Sequence, residues 1–284
     1  MKKYITIAAL LAAGSACANA IDNTIWNFEG SLDSVSGEGY HTAEGLAYGK
    51  YTTENETSKW EAVTATYENT GVEAGTNFGK YKLTADLGQA LSFSDGCSLK
   101  VGDAHWGNDN LQTGAGKDSF TIMAWVKFDS LSGAQAIFGT GDGEGNGITF
   151  GLIDGNKLNL CAKSVADNRT QALSLIVGTW YNLAVSHDGT TGAASFYLNG
   201  ELVQTSTCGT SNAIGGSGSV IGSKGKDIAK DLFTGDIAQL QVLNKALTQS
   251  DILKAASLIP EPSTFGLLAG LGALALVGTR RRRR

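Results

Sequence analysis

Between residues 141 and 147 the chain reads Gly141-Asp142-Gly143-Glu144-Gly145-Asn146-Gly147, with oxygen-bearing side chains on alternate positions and glycines between them. Such a run can curl around a hard cation, because glycine accepts the tight bend and carboxylate and amide oxygens are the donors calcium takes. Asp142, Glu144 and Asn146 are therefore candidate calcium ligands. Counted from Asp142, the twelfth position is Ile153, where a complete twelve-residue calcium loop needs a bidentate glutamate. A solvated hairpin between Ala136-Ile137-Phe138 and Ile148-Thr149-Phe150 is the plainer reading of the same residues.

Aromatic side chains offer a second chemistry. A sugar stacks its C–H face on an exposed ring while polar neighbours bond its hydroxyls. Trp60 in Thr57-Ser58-Lys59-Trp60-Glu61 and Trp106 in Ala104-His105-Trp106-Gly107-Asn108-Asp109 have polar surroundings, so both are candidate ligand platforms. The competing expectation is that each ring pins a loop to the body. Trp125 and Trp180 lie in strand patterns and are expected in the core.

Residues for catalysis are not arranged in any familiar set. Glu54 and Glu56 are in phase for one strand face, but Thr52-Thr53-Glu54-Asn55-Glu56-Thr57 is polar and loop-like, with no third carboxylate. There is no nucleophile elbow, no His-Glu-x-x-His and no phosphate-binding glycine loop. His41, His105 and His187 are scattered, and no cysteine pair has zinc-ligand spacing. We therefore expect no enzyme and no catalytic residues.

These residues must be held by strands. Phe120, Ile122, Ala124, Val126 and Phe128 alternate with Thr121, Met123, Trp125 and Lys127, the period of a strand with one buried and one partly covered face. Ile148 to Ile153, Lys157 to Ala162, Trp180 to His187 and Ala194 to Leu198 are further β-compatible runs. Asp154-Gly155-Asn156, His187-Asp188-Gly189 and Asn199-Gly200 supply hairpin turns. One short closing helix is expected where Thr248 and Asp251 form a capping box ahead of Ile252-Leu253-Lys254-Ala255-Ala256. The fold class is all-β, a sandwich or jelly roll.

The ends carry address signals. Lys2 and Lys3 precede the apolar stretch Ile5 to Ala13, and Ala18-Asn19-Ala20 supplies the small residues that signal peptidase requires, so residues 1–20 read as a signal peptide. Lipid attachment at Cys17 ranks second, because Gly14-Ser15-Ala16 lacks the usual leucine. At the other end, Pro260-Glu261-Pro262 holds the only two prolines of the chain and precedes an apolar run, Phe265 to Gly278, and five arginines, Arg280 to Arg284. Fourteen residues make a helix of about 21 Å, a marginal membrane span. The arginines hold its far end in the cytoplasm, which places the body outside. Pro260 and Pro262 suggest a stiff exposed linker open to a processing enzyme.

Seven of the 22 basic residues and one of the 27 acidic residues lie in these two terminal segments, which leaves a body near −11. That excess argues against nucleic acid as a partner, and against direct binding to anionic surfaces. Cys97, Cys161 and Cys208 remain after signal removal, an odd number that permits at most one internal disulfide and three possible pairings.

Together, Pro260-Glu261-Pro262, the apolar run and the arginine block resemble a PEP-CTERM sorting signal. The resemblance implies recognition by a membrane-embedded exosortase, cleavage near the motif and export to the surface or medium of a Gram-negative bacterium. The body resembles the LamG-like jelly roll of the concanavalin A-like lectin/glucanase superfamily. Gly88 to Phe93, Ser119 to Lys127, Thr179 to Val185, Ala194 to Gly200, Phe233 to Ile237 and Ala246 to Ile252 carry that likeness, with Trp26 to Gly30 and Asp33 as a fainter opening strand. The expected organisation is a signal peptide (1–20), one sandwich domain (21–257) and the sorting signal (258–284). The expected function is an exported, non-catalytic module that binds glycan or protein, with signal peptidase and exosortase as processing partners. A ligand-free matrix component and an atypical glycosidase are the alternatives.

Overall fold

A computed structural model describes residues 24–32, 46–54, 57–101, 119–140, 148–153, 156–162, 165–208, 219–224, 230–243 and 245–260. Alternation along Phe120–Phe128 makes this segment a strand whose two sets of side chains face opposite ways. It lies near the centre of an eight-stranded sheet. In spatial order that first sheet runs β16 (Glu201–Thr207), β15 (Ala193–Leu198), β14 (Trp180–Asp188), β9 (Phe120–Phe128), β18 (Gly235–Leu243), β7 (Gln89–Phe93) and β4 (Tyr67–Asn69), with β1 (Thr24–Trp26) also paired to β18. The second sheet, also eight-stranded, runs β13 (Val165–Arg169), β12 (Lys157–Ala162), β11 (Ile148–Ile153), β10 (Gln135–Thr140), β17 (Ser219–Ile221), β8 (Cys97–Val101), β2 (Leu46–Glu54) and β3 (Thr57–Ala62). A small third sheet is built from β19 (Leu258–Pro260), β6 (Tyr81–Leu83) and β5 (Asn77–Phe78).

The two large sheets close on one core. Phe120, Ile122, Ala124, Val126 and Phe128 point into it with Leu183, Val185 and Phe196, and meet Phe138, Phe150, Leu158, Leu160 and Leu99 from the second sheet. The opposite face of the first sheet, expected to be only partly covered, is buried as well. Met123, Trp125, Trp180 and Ala184 pack there under Phe78, Tyr81, Leu83, Ile252 and Leu258, a second core. The helix and the third sheet are what cover it. Among the described residues that helix, α1 (Gln249–Ala255), starts at the expected cap. The Thr248 hydroxyl donates to Asp251 Oδ2 at 2.7 Å, and the Asp251 backbone N–H reaches Thr248 Oγ1 at 3.3 Å. The same hydroxyl, more than nearby Lys254, holds the Asp251 carboxyl below its ordinary pKa.

The opening strand is Thr24–Trp26 and ends before Phe28, whose φ is +53°, so the expected run to Gly30 is not extended. The β10–β11 hairpin forms, although its tip at 141–147 lies outside the described residues. Asn199 and Gly200 turn with positive φ of 51° and 77°, and the Asn199 carboxamide accepts from the Asn182 backbone N–H at 2.9 Å. The polar stretch around Glu54 differs from expectation. It belongs to the ends of two paired strands, with Glu54 opposite Thr57, because Tyr51 and Trp60 pair across β2 and β3 and carry the ladder onward.

Candidate functional site

Among the described residues no helix packs on the outward face of the second sheet, and the features that can meet a ligand lie there. Along β12, Leu158 and Leu160 point into the core, so Asn159 and Cys161 point outward; Thr149 and Gly151 do the same on β11. Across β10 runs the segment Gly222–Lys224, which closes on Lys230 and Asp231 through Lys224 N–H to Lys230 O at 3.0 Å. It comes so near that a Cβ on Gly139 would stand 2.3 Å from the Lys224 carbonyl oxygen, and only glycine permits this approach.

Between that segment and β10 to β13 is a cavity of about 160 Å³, lined among others by Thr149, Asn159, Cys161, Arg169, Lys224 and Asp231. Pockets that enclose drug-sized ligands run to ~300 Å³ or more, so this one has room for about one sugar ring. Asn159 is only 6% exposed, and its Oδ1 finds no hydrogen-bond partner among the described residues. A buried amide oxygen left so costs roughly 1–3 kcal/mol, which a hydroxyl donor from a ligand would recover. Among the described residues Asp231 is the one carboxylate of this lining, and it faces Lys224 Nζ at 3.9 Å.

The three thiols differ in environment. Cys208 is fully buried, its Sγ accepting from Asn168 Nδ2 at 3.0 Å, and burial followed by the neighbouring Cys161 thiol pushes its pKa up to about 11. Burial likewise raises that of Cys97. A thiol with a raised folded-state pKa favours the native state less as pH climbs from its ordinary value of 9.0 toward 11. Iodoacetamide at about pH 8 should therefore alkylate half-buried Cys161 first and reach Cys97 and Cys208 only on unfolding, as peptide mass mapping would show. Early labelling of Cys208 would contradict its burial.

Trp60 lies at the far edge of the same face, half-buried in β3. Its ring meets Tyr51 edge-on, centroids 5.0 Å apart, and Lys100 Nζ lies 4.2 Å from the Trp60 centroid and 4.6 Å from that of Tyr51. One side of the aromatic pair is thus under an ammonium group. From β11 to β3 is five strand steps, roughly 24 Å at ~4.8 Å each, so Trp60 is not part of the cavity. Trp125 and Trp180 are in the second core, as expected. Trp106, Asp142, Glu144 and Asn146 lie outside the described residues, as do the signal peptide and residues 261–284 with Glu261 and Pro262. Pro260 is described: it is exposed, but it ends strand β19 instead of starting a linker.

Two β-sheets face to face, closed by a short C-terminal helix, define a lectin-like sandwich. Residues 102–253, just over half the chain, match the Laminin_G_3 family of the concanavalin A-like lectin/glucanases superfamily, and the chain belongs to it. Residues 258–283 match the PEP-CTERM protein-sorting motif, which marks an exported exosortase substrate. No curated protein matches the chain. Among solved structures, the chain is similar to domain 4 of the extracellular arabinanase AbnA of Geobacillus stearothermophilus, in complex with arabinotriose. That likeness has 20% identity and a TM-score of 0.45, and covers 75% of this chain and 100% of that one. A sialidase CBM40 of Ruminococcus gnavus bound to α2,3-sialyllactose has 16% identity and TM-score 0.41, covering 49% and 82%. A heptameric SAP-like pentraxin of Limulus polyphemus has 20% identity and TM-score 0.40, covering 49% and 69%.

Proposed function

We propose that this protein is an exported, non-catalytic module that binds carbohydrate at the cell surface through the cavity on the outward face of its second sheet. The observation that carries the reading is Asn159, whose side-chain oxygen is buried in the cavity lining without a partner among the described residues. Sugar hydroxyls are donors of the kind this oxygen lacks, and the Thr149 hydroxyl beside it can serve either role. Hydrolysis of a glycosidic bond needs two carboxyl groups across the substrate, whereas among the described residues this lining supplies Asp231 alone, facing a lysine. Tyr51 and Trp60 would offer a separate stacking contact on the same face.

The test is a glycan array probed with the exported protein, with calcium and with a chelator. Asn159→Ala should weaken the bound glycan about tenfold or more, the effect of losing one buried hydrogen-bond partner. Loss on chelation would show that binding needs a divalent cation, for which Asp142, Glu144 and Asn146 are the candidate ligands. No binding to any glycan would reject the reading in favour of a ligand-free matrix component.

A further inference from the structure

The match to the sorting motif begins at Leu258, and Leu258–Pro260 is strand β19, so signal and sandwich share three residues. Leu258 stands opposite Leu83, Ile259 opposite Lys82 and Pro260 opposite Tyr81 in the antiparallel ladder with β6. Leu258 is buried in the second core together with Leu83, Ile252 and Trp125. Beyond it, the Thr84 backbone N–H and hydroxyl both donate to the Ser257 carbonyl, at 2.8 and 3.0 Å. The first residue of the processing motif is therefore tied into the fold.

Slack on the other side is short. Four residues, Glu261 to Thr264, separate Pro260 from the apolar run that starts at Phe265. Five residue steps reach at most about 18 Å when fully extended. An enzyme seated in the membrane must take hold of backbone within that reach, and a strand hydrogen-bonded to β6 along one edge and anchored by buried Leu258 cannot be drawn into a cleft without leaving that ladder, although Ile259 and Pro260 are exposed. Cleavage of such a segment tracks the fraction of molecules in which it has locally opened.

We propose that the β6–β19 ladder is a clasp on the sorting motif, and that exosortase takes up Pro260-Glu261-Pro262 only from molecules in which β19 has left β6. This rests on exosortase processing of the tail. The clasp times processing: a chain whose third sheet has not closed is cut readily, and a fully folded one is cut slowly.

The experiment follows shortening of the full-length protein by pulse-chase and intact mass in its host, with a host lacking exosortase as control. Lys82→Cys with Ile259→Cys places two thiols opposite each other on the solvent side of the ladder, within the span a disulfide bridges. The cross-linked chain should be shortened at least about tenfold more slowly, with the rate restored by reductant and each single-cysteine variant behaving as wild type. Leu258→Ala, which loosens the clasp, should be shortened faster than wild type. A cross-linked chain shortened at the wild-type rate would overturn the clasp while leaving exosortase processing intact. A wild-type chain never shortened would overturn both.

Discussion

Gly235→Ala should destabilise the sandwich by on the order of 4 kcal/mol and lower its melting temperature by roughly 10 °C, read by thermal unfolding of the exported protein. Gly235 opens β18 at φ +136°, a conformation that L side chains rarely adopt. A Cβ there would lie 2.0 Å from the Lys127 carbonyl oxygen and 3.1 Å from the Asp129 backbone nitrogen, so relief requires moving backbone rather than a side chain. β18 has no room to move. Gly235 is opposite Phe128 on one side and Phe93 on the other, in the middle of the first sheet. The next residue, Asp236, holds Lys127 at 2.5 Å and accepts from the Ser92 hydroxyl at 2.5 Å, so a shift of β18 also pulls apart a mostly buried ion pair. A melting temperature within a degree or two of wild type would mean that β18 does not approach β9 this closely.

The same position illustrates what the sequence makes legible. Alternation identifies β9, β11, β12 and β14 because each carries large apolar side chains on the core face, and burial enforces that register. The cap at Thr248 is readable because its chemistry is local. The second core was less so: Thr121, Met123 and Trp125 look like an outer face until α1 and β19, more than 120 residues further on, are known to cover them. For the same reason Trp60 reads as a loop residue, since its pairing partner Tyr51 is found only when β2 and β3 are laid together.

The cavity is the clearest miss. The pattern Leu158-Asn159-Leu160-Cys161 already says that Asn159 and Cys161 turn away from the core. Nothing in it says that Lys224 and Asp231 will close over them, because that contact is long-range and depends on Gly139 lacking a side chain. Conversely, the residues most suggestive of chemistry in the sequence, Asp142, Glu144 and Asn146, stand out by local composition alone and lie outside the described residues.

Trp125→Ala should cost about 3–5 kcal/mol, the range for removing a large buried aromatic side chain, and should lower the denaturation midpoint accordingly. Trp125 is 1% exposed, and its ring meets Phe78 with centroids 4.6 Å apart at 61°. It therefore joins the first sheet to the layer made by α1 and the third sheet. Its Nε1 has no hydrogen-bond partner among the described residues, so Trp125→Phe, which removes that buried donor along with some volume, should be markedly milder. The location of the damage separates this variant from an equally destabilising one. Phe150→Ala empties the core between the two large sheets and leaves the layer over the first sheet packed. Trp125→Ala instead removes support from beneath Leu258 and Leu83, the buried pair of the β6–β19 ladder. At matched loss of global stability, amide exchange at Lys82 and at Thr84, whose N–H donates to the Ser257 carbonyl, should accelerate in Trp125→Ala and stay near wild type in Phe150→Ala, and C-terminal shortening should follow the same order. Equal exchange at those amides in the two variants would show that the layer over the first sheet opens only with the whole sandwich.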